Sequence, residues 1–172
     1  MKIILTVLGF ALALVLVSCN SSPTFKDGTA CACDSISQEF EGSALIGEVP
    51  FVSGKRQGMG KRYYESGALM VETPFVNGDA QGTQKGYYES GALWFESHNI
   101  DDKQQGTMKE YYESGKLKVE TPYVDDKQQG KEMIYSESGE LAGTAIYDND
   151  SLVGLKTCTD GRQGNADLDC TI

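Results

Sequence analysis

Histidine occurs once in 172 residues, at His98. There is no CxxC pair, no HExxH, no Walker loop and no nucleophile elbow. Zinc hydrolysis, nucleoside triphosphate chemistry and serine hydrolysis each need one of those groupings, so the sequence argues against an enzyme. Basic residues are also scarce. Lys and Arg number 15 against 25 Asp and Glu, a formal net charge of −10. A chain this acidic repels phosphate backbones, which excludes nucleic acid as a partner class. Apolar runs are short too. The longest, Ile3 to Val17, falls below the length of a comfortable membrane-spanning helix.

That run nevertheless has a secretory layout: Lys2, the apolar stretch, then Ser18-Cys19. Leu16-Val17-Ser18-Cys19 resembles the lipobox of bacterial lipoproteins. The resemblance implies a signal peptide over 1–18, cleavage before Cys19, and acylation of Cys19 with diacylglycerol and a further chain such as palmitate. Several chains anchor a protein stably where one does not. Asn20 in place of Asp implies the outer membrane in a Gram-negative host. Loss of Lys2 leaves 14 basic against 25 acidic residues, a charge of −11. Residues 19–33 form the acylated Cys and a polar tether, NSSPTFKDGT, rich in turn formers.

Cys31, Cys33, Cys158 and Cys170 remain. An even number fits two disulfides outside the cytoplasm. Cys158 and Cys170 would close a short loop in the tail. A Cys31–Cys33 bond would be strained. A four-cysteine metal site lacks the spacing and the nearby His that zinc favours. Asp160, Asp167 and Asp169 supply hard oxygens, but their spacing is not that of an EF-hand loop. No cofactor or metal is expected.

The strongest signal is a repeat of 24 residues. YYESG begins at Tyr63, Tyr87 and Tyr111, and YSESG at Tyr135. Gly58, Gly82, Gly106, Gly130 and Gly154 share a phase, as do Leu45, Leu69, Leu93, Leu117 and Leu141. Glu48, Glu72, Glu96 and Glu120 share another, broken by Thr144. Five units follow: 34–57, 58–81, 82–105, 106–129 and 130–153, with 154–172 as a C-terminal cap. A fixed period of this size means a repeat array. Within a unit the hydrophobic period is two. KRYYE and ALMVETPFV are strand-prone, while Ser66-Gly67 and Asn77-Gly78 are turn signals. The expected fold is all-β, a single-layer antiparallel meander of hairpins advancing ~10 Å per unit.

Alternation assigns Leu69, Val71, Thr73 and Phe75 to a packed face, and Glu72 with Met70 to the other. The tyrosines of the Tyr63 column show no exception, which places them on the packed face. Tyr64, Tyr88 and Tyr112 then join the Glu column. His98 occupies the column of Pro50, Pro74 and Pro122, so a repeat substitution accounts for it.

G-x-x-K-x-Y-Y-E-S-G-A-L-x-x-E-x-x-F resembles the MORN repeat in the variant form common in bacteria, over about 34–153. The resemblance implies a non-enzymatic binding module. Relatives are labelled antitoxin-like or are surface lipoproteins, and eukaryotic ones are credited with lipid binding. The acidic repeats here lack a basic stripe for phosphoinositides. The reading is a lipid-anchored scaffold whose Tyr64, Tyr88, Trp94, Tyr112, Glu72, Glu96 and Glu120 contact a basic protein partner. The alternatives are a carbohydrate-binding surface, with those rings stacking sugars, and an antitoxin, which needs an intracellular target. Paired glycosidase carboxylates are excluded, because successive Glu stand ~10 Å apart, beyond the inverting range of roughly 6.5–9.5 Å.

Overall fold

A computed structural model describes residues 2–8, 11–18 and 34–171. They fall into two compact units, Met1–Ala80 and Gln81–Ile172. Among the described residues every regular element is a strand. The all-β antiparallel meander read from the repeat is the fold of each unit. Cys19, Cys31, Cys33 and the tether lie outside the described residues.

In the first unit, Asp34–Glu41 and Ala44–Val52 form one hairpin, and Gly58–Tyr63 and Leu69–Val76 another. Ala44–Val52 joins the second hairpin by antiparallel pairing to Gly58–Tyr63. The apolar N-terminal segment is also extended over Lys2–Leu8 and Ala11–Ser18. Lys2–Leu8 pairs with Ala11–Ser18, which pairs along its whole length with Asp34–Glu41. Its Ile, Val and Leu suit a strand, and its backbone groups satisfy the edge of Asp34–Glu41. Cleavage before Cys19 would remove that neighbour.

In the second unit, Gly82–Tyr87, Leu93–Ile100, Lys103–Tyr111, Leu117–Val124, Gly130–Tyr135 and Leu141–Asp148 pair in sequence. The tail adds Lys156–Cys158 beside Leu141–Asp148, then Gln163–Gly164.

The two kinds of turn have different chemistry. At the YYESG end, the Gly67 amide donates to the Tyr64 carbonyl at 2.9 Å, and Gly67 has φ +85°. Each hairpin there carries a bulge, between Arg62 and Tyr63, Leu93 and Phe95, Glu110 and Tyr111, and Ile134 and Tyr135. At the other end both central residues have positive φ: Asn77 and Gly78, Asp101 and Asp102, Asp125 and Asp126, Asn149 and Asp150. That is the backbone of a tight hairpin turn, and short Asn and Asp side chains tolerate it best after Gly. The Asp126 carboxylate accepts the Gln104 amide at 2.6 Å, and Asp150 accepts Gln128 at 2.7 Å. The repeated DDKQQG thus fastens one turn to the turn before it.

The core is thin. Ile134 and Ala145 are 3% and 2% exposed. Phe75, Tyr147, Cys158 and Cys170 are also buried. The Leu column, expected as core, is half-buried at Leu45, Leu69, Leu93 and Leu117 and 40% exposed at Leu141. These residues lie beside the bulged turns, where the strand ends and no second layer covers them. Burial is greatest where the tail folds over the last hairpins. Cys158 and Cys170 form a disulfide there. Val71, Phe95 and Val119 give way to Gly143 in the last unit, where a Cβ would lie 2.6 Å from Cys170 Sγ. Only glycine leaves room for the tail at that point.

Candidate partner-binding surface

Cross-strand partners share a face, so the register assigns each column. Arg62 opposes Val71 and Gly60 opposes Thr73 on one face. Lys61 opposes Glu72 and Met59 opposes Pro74 on the other. The Glu column therefore lies opposite the face of Val71, Thr73 and Phe75, as the alternation implies.

The two tyrosine columns are placed the other way round from the sequence reading. Tyr63, expected on the packed face, donates its hydroxyl to Glu48 at 2.7 Å. Tyr111 donates to Glu96 at 2.7 Å and Tyr135 to Glu120 at 3.0 Å. Burial, and then the neighbouring carboxylate, push the Tyr63 and Tyr111 phenols up to about 12. At Tyr63, Tyr111 and Tyr135 the column supplies a hydrogen-bond donor as well as a half-buried ring.

Tyr88 and Tyr112, expected beside the Glu column, instead reach the next unit's backbone. The Tyr88 hydroxyl donates to the Tyr111 carbonyl at 2.6 Å, and Tyr112 donates to Tyr135 at 2.8 Å. Burial raises the Tyr112 phenol, and the tail residues Thr171 and Asp169 lie beside it. Tyr64, at the same repeat position, is half-buried. Trp94 sits near Tyr88, ring centroids 6.2 Å apart, and edge-on to Phe95 at 5.1 Å. One unit on, Lys118 takes the Trp94 position and holds its ammonium 5.5 Å from the Tyr112 ring centre.

Two exceptions in the repeat now have a physical reason. The Tyr88-type bond spans 23 residues, so a tyrosine at Ser136 would address residue 159, beyond the last unit. The Tyr–Glu bond spans 15 residues, and a Glu at Thr144 would meet Thr159 instead of a tyrosine. Each column ends where its partner ends.

In the second unit the candidate residues have separate structural roles. Glu96 and Glu120 are half-buried and accept tyrosine hydroxyls, Tyr88 and Tyr112 clip successive units, and Trp94 is exposed at 40%. Glu72 is half-buried on the Glu face. The sequence reading missed another column. Val52 and Val76 in the first unit, and Ile100 and Val124 in the second, are 41–52% exposed at one 24-residue phase. Each precedes a turn of the positive-φ type. In the second unit Ile146 is also exposed, and Asp101, Asp102, Asp125, Asp126 and Asp150 form the adjoining edge. Strand alternation already turns Val76 to the face of Glu72, away from the packed side; what the sequence reading did not draw from it was a contact surface beside the turns.

His98 is exposed in a depression of about 230 Å³ with Thr83, Glu96 and Lys109. Among the described residues no three metal-ligating side chains converge.

Residues 56–77, 80–98 and 104–125 match the family model described as MORN repeat variant. Those three segments are similar to MORN repeats. No curated protein matches it. MORN repeats generally serve as modules that contact proteins or membranes, and the family is generally non-enzymatic.

Proposed function

We propose that this MORN-repeat chain is a lipid-anchored, non-enzymatic scaffold of the bacterial cell envelope that holds a basic protein partner. The observation that supports a protein partner is the exposed Ile100, Val124 and Ile146 beside the acidic turns at 101–102, 125–126 and 149–150. Apolar side chains in series beside fixed negative charge suit a segment that alternates apolar and basic residues. The MORN repeat supports the module class, and the lipobox at 16–19 supports the anchor. The carbohydrate reading loses ground, since the Tyr88 and Tyr112 rings are half-buried and tied to the next unit's backbone. The antitoxin reading keeps no observation of its own.

Two measurements test this. A fatty-acid probe fed to cells should label the full chain, and Cys19→Ala should lose the label; an unlabelled wild type refutes the anchor. A photo-crosslinker at Lys127, beside the acidic edge, should capture one protein with a basic surface in intact cells. The triple variant Ile100→Ser, Val124→Ser, Ile146→Ser should lose that product while melting cooperatively. Capture that survives the triple variant and high salt refutes this surface.

A further inference from the structure

The tail borders an open cavity that the partner surface does not use. It measures about 380 Å³, lies in the second unit, and is bounded by the tail segment 166–171 and by side chains of 110–156. That volume is within the range of small-molecule sites, roughly 300–1,000 Å³. Glu132 is one of its walls and is 8% exposed. Its one hydrogen-bond donor among the described residues is the Thr121 hydroxyl, at 3.1 Å. Burial raises the Glu132 carboxyl above its ordinary range, against the opposing pull of Thr121 and Lys156.

A buried carboxyl without a close ion-pair partner is relieved either by taking up a proton or by an arriving cation that keeps it ionised. Two lysines line the cavity, and both are drawn towards the tail. Lys156 donates to the Ala166 carbonyl at 3.5 Å, Lys118 lies over the Tyr112 ring, and both act on Asp169. The remaining wall contains the rings of Tyr123 and Tyr147. Aromatic faces attract cations, most strongly where water is excluded. Counted together, Glu110, Glu132, Asp167 and Asp169 outnumber Lys118 and Lys156 by two charges.

We propose that this cavity is a binding site for a primary ammonium group, with Glu132 as its counter-ion and Tyr123 and Tyr147 as its aromatic wall. The ammonium is the end of a lysine side chain or of a free alkyl amine. Thr121 holds the carboxylate in place, and the Cys158–Cys170 disulfide holds the roof. The site is independent of the partner surface proposed above, which lies on the opposite sheet face.

The test titrates the full chain with the capped tripeptide acetyl-Gly-Lys-Gly-amide and, separately, with cadaverine, following tyrosine ring resonances. Saturable shifts confined to Tyr123 and Tyr147, with Tyr63 unmoved, are expected. Glu132→Gln keeps the shape and the Thr121 contact, and should weaken binding at least about tenfold. The same peptide with its lysine acetylated should not bind. Saturation by both probes identifies the lysine side chain as sufficient, and by cadaverine alone a free amine. No saturation by either, equal binding to Glu132→Gln, or saturation by a neutral monosaccharide alone overturns the proposal. The ring shifts are read on the wild type, so the test stands even if the variant misfolds.

Discussion

The Tyr111 hydroxyl donates to the Glu96 carboxylate at 2.7 Å, joining one repeat to the one before it. The bond recurs at Tyr135–Glu120 and at Tyr63–Glu48. A nearest-neighbour bond of this kind is how a repeat array gains stability without a deep core. Tyr111→Phe should therefore destabilise the chain by about 1.5–3 kcal/mol, the range for a bond to a charged group, at the low end because the site is half-buried. In a double-mutant cycle on urea unfolding, Tyr111→Phe and Glu96→Gln should couple by at least about 0.5 kcal/mol. Additive losses would mean the contact carries no energy.

The same bonds set the alkaline limit. The Tyr63 and Tyr111 phenols are raised from 10.0 to about 12, first by burial and then by Glu48 and Glu96. A raised pKa means the folded state holds the proton more tightly than the unfolded one. The associated stability is intact below pH 10 and is lost as pH rises through about 12. Spectrophotometric titration of the nine tyrosines should show a late phase coincident with unfolding. Tyr111→Phe should remove part of that phase. A single ordinary transition would contradict the placement of both residues.

Burial separates two apolar positions of the last hairpin. Ile134 is 3% exposed and Leu141 is 40% exposed. Ile134→Ala should cost about 2–5 kcal/mol as a cavity-forming change. Leu141→Ala should cost within about 0.5–1 kcal/mol, as surface substitutions do. Equal shifts in the urea midpoint would show that the Leu column is core after all.

The tail depends on its cross-link. Cys158 and Cys170 lie 12 residues apart in sequence. Replacing both by Ser should destabilise the chain by roughly 3 kcal/mol on the loop-entropy model. It should also expose Tyr147, which is 8% exposed beneath the tail. Tyrosine fluorescence quenching by iodide reads this directly, and unchanged quenching would show that the tail holds without the bond.

The 24-residue period, the hairpins and both turn types were legible, because each rests on local chemistry: Gly67 and Asn77-Gly78 need positive φ, and strand alternation is a property of the backbone. The tyrosine faces were not. Tyr63 donates to Glu48 and is also half-buried, and a lone sequence does not distinguish a recurring hydrogen bond from recurring packing. The buried Glu132 was also hidden. It sits where other units have Met108, Gln84 or Gly60, and its burial is supplied by a tail with no counterpart in the repeat.

Because three kinds of inter-repeat bond in the second unit recur at constant spans of 15, 22 and 23 residues, the array has an adjustable length. Excision of 106–129 would bring Tyr135 to Glu96 at the spacing Tyr111 now has, Tyr88 to the Tyr135 carbonyl, and Asp150 to the Gln104 amide. The shortened chain should fold with one hairpin fewer, whereas excision of one residue more or less would turn every later side chain to the wrong face. Copy number is then free to change by whole units in this sequence, in which DDKQQG stands at 101–106 and again, one period on, at 125–130.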